Sequence, residues 1–239
     1  MRTLPLLTIA LLPACLIRPV TVDHDELVFE EKVHDVRIDS GSGEVEVVRA
    51  EVAMVEVERT LRYTGDPPKL TARVDGGVLH LEVTCRPLQQ RCSVDHVVRL
   101  PSDAHVSVDV GSGGVLVRDL AGDVEVDTGS GDVSVVDVTG AVFVSTGSGN
   151  VNGRGLWADE VVVDTGSGDV RLELLAVPDR VSVDTGSGNV LVELPSGPYS
   201  VHTDTGSGDV RVDGITSDRS APSHIDVDTG SGDVDLVGQ

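Results

Sequence analysis

A chain of 239 residues has room for one large all-β domain or two small ones. Its 18 basic and 40 acidic residues give a formal charge of −22, which lacks the basic footprint that nucleic acid or an anionic membrane surface requires. Hydrophobic residues make up 39% and are dominated by Val alternating with polar residues, with Phe29, Tyr63, Phe143, Trp157 and Tyr199 the only aromatics; this argues against disorder and for a narrow core of β-branched side chains.

The first segment, 1–14, reads as an export signal: Arg2 precedes the apolar run LPLLTIALL at 4–12, too short to span a bilayer. Leu12-Pro13-Ala14-Cys15 resembles the lipobox of bacterial lipoproteins, where cleavage precedes a Cys that is then acylated. That resemblance implies a lipid on Cys15, with 15–25 as the linker to the folded chain. An ordinary cleaved signal would instead leave Cys15 without a lipid.

Residues 26–104 alternate less regularly, as in EVEVVRAEVAMVEVERTLRY and GGVLHLEV, with a GDPPK turn between them. They are expected to form a strand-rich cap over the first edge of the regular strands beyond 104, because an open sheet edge templates aggregation. Within them, Cys85 and Cys92 in CRPLQQRC supply only two thiolates and lack the Cys/His spacing of a metal site. A disulfide in an oxidising compartment is the expectation, contributing roughly 2–3 kcal/mol through loop entropy.

From 105 to 239 a repeat governs the chain. G-S-G begins at 41 and then at 111, 129, 147, 166, 186, 206 and 230, with spacings of 18, 18, 19, 20, 20 and 24 from 111 onward. Most turns are preceded by apolar-x-apolar, as in Val124-Glu125-Val126 or Val181-Ser182-Val183, and followed by the same pattern, as in Val133-Ser134-Val135. Such alternation marks strands with one buried face, and two strands with two turns use up the period. Near-identical units favour a solenoid over a sandwich, since stacked rungs place like on like roughly 4.8 Å apart. The expected fold is therefore all-β: a single-stranded, β-helix-like solenoid of rungs of about 18–20 residues with a strand-rich N-terminal cap. The 24-residue spacing around DGITSDRSAPSH reads as a loop insertion on one edge. The last edge, ending at Val237-Gly238-Gln239, shows no cap and is a candidate for pairing with a second copy.

The chain resembles the bacterial β-strand-repeat family of candidate adhesins, a domain of unknown function. The resemblance rests on SGSGEVEV near 40, GGVLHLEV at 76–83, VVRLPSDAHVSVDVGSGGVLV at 97–117, and the TGSG[DN]V series, over roughly 26–239. It implies the fold and carries no catalytic residues.

The D-T-G-S letters raise the possibility of a pepsin-type protease, whose chemistry needs two facing carboxylates sharing a proton. Here Asp127, Asp164, Asp184, Asp204 and Asp228 recur, with Ser145 in the equivalent place, so stacking predicts a line of carboxylates and not a facing pair. Gly serves a reversal needing φ > 0, and Thr128, Thr146, Thr165, Thr185, Thr205 and Thr229 are expected to stack as a hydroxyl ladder. After the turn come Asp132, Asn150, Asp169, Asn189, Asp209 and Asp233. Adjacent carboxylates would repel by roughly 0.9 kcal/mol even in water, and interposed Asn doubles their spacing to about 10 Å, near a Debye length. The rival reading is a calcium-dependent binding module using Asp132, Asp169, Asp209 and Asp233. The seven His residues (24, 34, 80, 96, 105, 202 and 224) show no zinc-site spacing, and no G-S-G is followed by the Lys of a phosphate loop. The functional expectation is a non-enzymatic, lipid-anchored envelope protein with no cofactor, in the outer membrane or periplasm if the cell is Gram-negative. Its role would be structural or adhesive, towards an envelope or cell-surface partner.

Overall fold

The structure is a computed structural model that describes residues 19–51, 54–87, 89 and 91–239. Cys15 and the export signal lie outside the described residues. Every regular element described is a strand. The first seven are β1 (Thr21–Phe29), β2 (Asp35–Ser42), β3 (Val45–Arg49), β4 (Val55–Tyr63), β5 (Lys69–Asp75), β6 (Val78–Thr84) and β7 (Cys92–Leu100). The repeats then supply pairs: β8 (His105–Ser112) with β9 (Val115–Arg118), β10 (Val124–Ser130) with β11 (Val133–Val136), and β12 (Val142–Thr146) with β13 (Val151–Leu156). They continue as β14 (Glu160–Thr165) with β15 (Val170–Leu174), β16 (Arg180–Thr185) with β17 (Val190–Leu194), and β18 (Pro198–Thr205) with β19 (Val210–Asp213). After the short β20 (Thr216–Ser217), β21 (His224–Thr229) pairs with β22 (Val234–Gly238).

Each rung crosses the core once in each of two 11-stranded sheets. The first sheet runs β1-β4-β7-β3-β9-β11-β13-β15-β17-β22-β19, and the second β20-β18-β21-β16-β14-β12-β10-β8-β2-β6-β5. Within the repeat array neighbours are parallel and in register, with Val124 between Val106 and Val142, and Val133 between Val115 and Val151. Valines therefore stack on valines, as the repeat predicts, in one continuous buried core. Rung β12–β13 breaks this once: Gly153 stands where its neighbours carry Val135 and Leu172. A bulge after it brings buried Leu156 into the space, within 2.9 Å of where a Cβ would lie.

Order in space departs from order in sequence at both ends. The rung β2–β3 lies between β6–β7 and β8–β9, so the first G-S-G turn belongs to the stack proper. Outside it, β1, β4 and β7 run antiparallel in one sheet and β5 and β6 in the other. They carry a second apolar cluster of Leu61, Tyr63, Val83 and Val94. At the far end β21–β22 stacks directly on β16–β17, while the earlier pair β18–β19 lies outside it. The 24-residue spacing is thus a re-entry: the chain passes along the edge through β20, which pairs with β18, and returns inward. The exposed edge is consequently β19, where Val210 and Val212 are 42% and 43% exposed although their counterparts Val234 and Leu236 are fully buried.

The Cys85–Cys92 disulfide forms, with Cα atoms 6.0 Å apart. It closes the corner between β6 and β7, the place where the neighbouring rungs use G-S-G.

Candidate functional site

In the stacked turns the two glycines have different duties. The second, as in Gly149, Gly168 and Gly188, has φ of +151 to +154. The first has an ordinary φ but allows close approach: a Cβ on Gly147 would lie 2.6 Å from the carbonyl oxygen of Gly129. The threonines also differ from expectation. The hydroxyls of Thr165, Thr185, Thr205 and Thr229 donate not to one another but to the glycine carbonyl of a neighbouring rung, Thr229 to Gly188 at 3.2 Å and Thr205 to Gly232 at 3.0 Å, while the buried hydroxyls of Thr128 and Thr146 have no partner among the described residues.

The residue after the second glycine forms a hydrogen-bonded ladder on the surface. Oδ1 of Asp132 accepts from the backbone N–H of Asn150 at 2.8 Å and from its side-chain amide at 3.2 Å. Oδ1 of Asn150 accepts from the N–H of Asp169 at 3.0 Å, and Asp169 receives Asn189 in the same double fashion. Threading then sets Asp233 on Asn189 at 3.0 Å and Asp209 on Asp233 at 2.9 Å. Charge alternation therefore persists from Asp132 to Asp233, and within this run the adjacent carboxylates are its outermost two, Asp233 and Asp209. All four proposed calcium ligands lie on this ladder, and three of them, Asp132, Asp169 and Asp233, each commit one oxygen to it. Asn150→Asp should thus lower stability by about 1–2 kcal/mol at low salt, through one lost hydrogen bond and three consecutive charges. Added salt should restore part of the melting temperature.

A second line of carboxylates runs along the solvent face of the second sheet. Register places Asp39, Asp109, Asp127, Ser145, Asp164, Asp184, Asp228 and Asp204 side by side in that order. The five D-T-G aspartates are in this row, none facing another across a cleft. Crowding is legible in their acidities. The Asp109 carboxyl is raised above the ordinary range by burial first, then by Asp39 and Asp127. Asp228 is raised by burial and by Asp226, with Asp184 and Asp204 adding and His202 opposing.

At the threaded end this face gathers a mixed group. Asp226 and Asp228 project together from β21, alternate residues on one side of a strand, and His202 of β18 is paired with Asp226. One ligand atom from each lies within 4.8 Å of the others. A search for paired histidines in sequence misses it, because its members come from two strands 24 residues apart.

A different titratable group is buried in the cap. His96 is 1% exposed, and neither ring nitrogen has a hydrogen-bond partner among the described residues. Opposite it, buried Arg59 forms an ion pair with Asp25. Burial first, and the Arg59 charge second, lower the His96 pKa to about 4.

The Toastrack DUF4097 family model matches residues 24–237. No curated protein matches the chain. Among solved structures it is similar to a candidate adhesin from Bacteroides fragilis, at 10% identity over 90% of this chain and 97% of that one, with a TM-score of 0.45. A candidate adhesin from Parabacteroides merdae matches at 14% identity over 90% and 95% of the chains, with a TM-score of 0.45. A candidate cell-adhesion protein from Clostridium sporogenes matches at 10% identity over 92% and 100%, with a TM-score of 0.40.

Proposed function

The chain belongs to the Toastrack DUF4097 family, and from that premise we propose a non-enzymatic, exported, lipid-anchored envelope protein with a structural or adhesive role. The observation that carries this reading is the in-register carboxylate row from Asp39 to Asp204. It offers a partner the same acidic contact at every rung but that of Ser145, the arrangement for many weak contacts acting together. Catalysis needs unlike groups brought to one point, and the repeat instead spreads like groups along a line. Export is supported by the Cys85–Cys92 disulfide, a bond kept in oxidising compartments. The lipid on Cys15 is what would hold so acidic a domain at a membrane.

The test is capture from detergent-solubilised envelope by the tag-free chain and by a variant with Asp109, Asp127, Asp164 and Asp184 changed to Asn. A partner retained by the first and lost by the second is the expected result. Hydrolysis of peptide or glycan that disappears on a single substitution, or acid proteolysis stopped by pepstatin, would overturn the reading.

A further inference from the structure

We propose that His202, Asp226 and Asp228 form a binding site for a divalent transition metal of the zinc class, bridging β18 and β21. The group combines one imidazole with two carboxylates, a donor set that suits zinc and its neighbours, whereas calcium takes six to eight oxygens. Its ligand atoms already lie within 4.8 Å of one another. Bonds of zinc length in a tetrahedron need them about 3.3 Å apart, a closure that calls for rotation of the exposed His202 ring together with the two aspartate side chains.

A second, independent observation points to a cation. Oδ1 of Asp226 and Oδ1 of Asp228 are shielded from solvent and have no hydrogen-bond partner among the described residues. Carboxylate oxygens in that condition are costly unless a positive charge or donor meets them. Beside them in register stand Asp184 and Asp204, which add negative charge. None of these four carboxylates takes part in an ion pair with Arg or Lys among the described residues, although Arg37, Arg73 and Arg171 make such pairs elsewhere in the stack. The location is also distinctive within the repeat. At the level of His202 and Asp226 the neighbouring rungs carry Ser182, Val162, Phe143, Glu125 and Ser107. Only the threaded end sets an imidazole beside a carboxylate there, and a metal would tie the outermost rung to the one inserted beneath it.

Calorimetric titration of the metal-free, tag-free chain with zinc chloride should give one site, with the thermal midpoint rising as zinc is added. His202→Ala and Asp228→Asn should each weaken binding by more than the roughly 10–100-fold that changes outside the ligand set bring. His202 is exposed, so its substitution leaves the fold intact, and the Cε1–H proton signal of His202 should move on zinc addition. Asp169→Asn combined with Asp209→Asn should leave zinc affinity unchanged. No zinc binding by the unaltered chain, or equal binding by His202→Ala, would overturn the proposal. So would cation binding that survives His202→Ala but is lost in the Asp169→Asn, Asp209→Asn double variant, since that places the ion on the turn ladder.

Discussion

Replacing His96 with Leu should flatten the acid limb of the stability profile between about pH 6.5 and about pH 4. In the folded protein the imidazole is held neutral down to about pH 4, against an ordinary value of 6.5. As pH falls through that window the unfolded chain takes up a proton that the folded one refuses, so stability declines. The stability associated with His96 is full above pH 6.5 and is lost progressively down to about pH 4, where the folded form also protonates. A displacement of that size corresponds to about 3 kcal/mol over the window, large beside a typical domain stability. The cause is local: both ring nitrogens are shielded from solvent without a hydrogen-bond partner among the described residues, and the Arg59 guanidinium opposite would meet a second positive charge.

The carboxylates provide the internal contrast. Asp109 and Asp228 are raised in the folded state, so protonating them relieves strain in the fold, and stability from this source grows as pH falls through their range. The two effects have opposite sign; Asp109 stands two rungs from His96, whereas Asp228 lies at the far end of the stack. Urea unfolding of the unaltered chain, His96→Leu and Asp228→Asn across the window separates them. Parallel curves for the unaltered chain and His96→Leu would show that His96 is not the group responsible.

The stacking of rungs was legible in the sequence because a solenoid writes its geometry into its letters. Val124, Val142 and Val161 recur because each rests on the last, and the alternation of Asp132, Asn150, Asp169 and Asn189 follows from placing charges one rung apart. Both statements depend only on neighbours being equivalent, and equivalence is what a repeat displays. The same equivalence concealed the threading. Residues 206 and 230 both begin G-S-G-D-V, so either rung satisfies the ladder below it, and the lone signal was a spacing of 24 in place of 20. Extra residues are what re-entry requires, yet an edge loop requires them as well.

The candidate site divides along the same line. The carboxylate row was visible as recurring D-T-G, since register alone builds it. The group at His202 was not, because its members are unlike residues at positions where the repeat tolerates variation, and alternation says nothing about which unlike residues meet. His96 escaped for a related reason. It sits at an inward position of β7 between Val94 and Val98, where the pattern marks a hydrophobe, and His read one residue at a time resembles a surface substitution. The glycines were half legible: their number signals tight turns, while the separation into one for φ and one for close approach needs the neighbouring rung.

That separation yields the other large expected effect. Gly149→Ala should destabilise the protein by about 3 kcal/mol or more, or prevent folding, while Gly114→Ala should change stability by no more than about 0.5 kcal/mol. At 149 the backbone has φ of +154, and a Cβ would lie 2.0 Å from the carbonyl oxygen of Gly131 and 3.2 Å from the nitrogen of Asp132. Neither atom can retreat, because each belongs to a turn hydrogen-bonded to the rungs on both sides, Gly131 to Ser148 at 2.9 Å and Gly113 to Ser130 at 3.0 Å. Relief would have to propagate through the stack. At 114 the nearest atom to a Cβ is the Asp132 oxygen at 3.6 Å, an ordinary contact. Gly114 also stands where later rungs carry the Asp/Asn ladder, so the N–H of Asp132 has no side-chain acceptor from the rung before it. Gly114→Asn should supply one and stabilise the chain by about 0.5–1 kcal/mol. Chemical unfolding of the three variants against the unaltered chain measures all of this. A tolerated alanine at 149 would mean that the turns are not in close backbone contact, and an asparagine at 114 without gain would mean that the ladder's hydrogen bonds add nothing beyond what water gives.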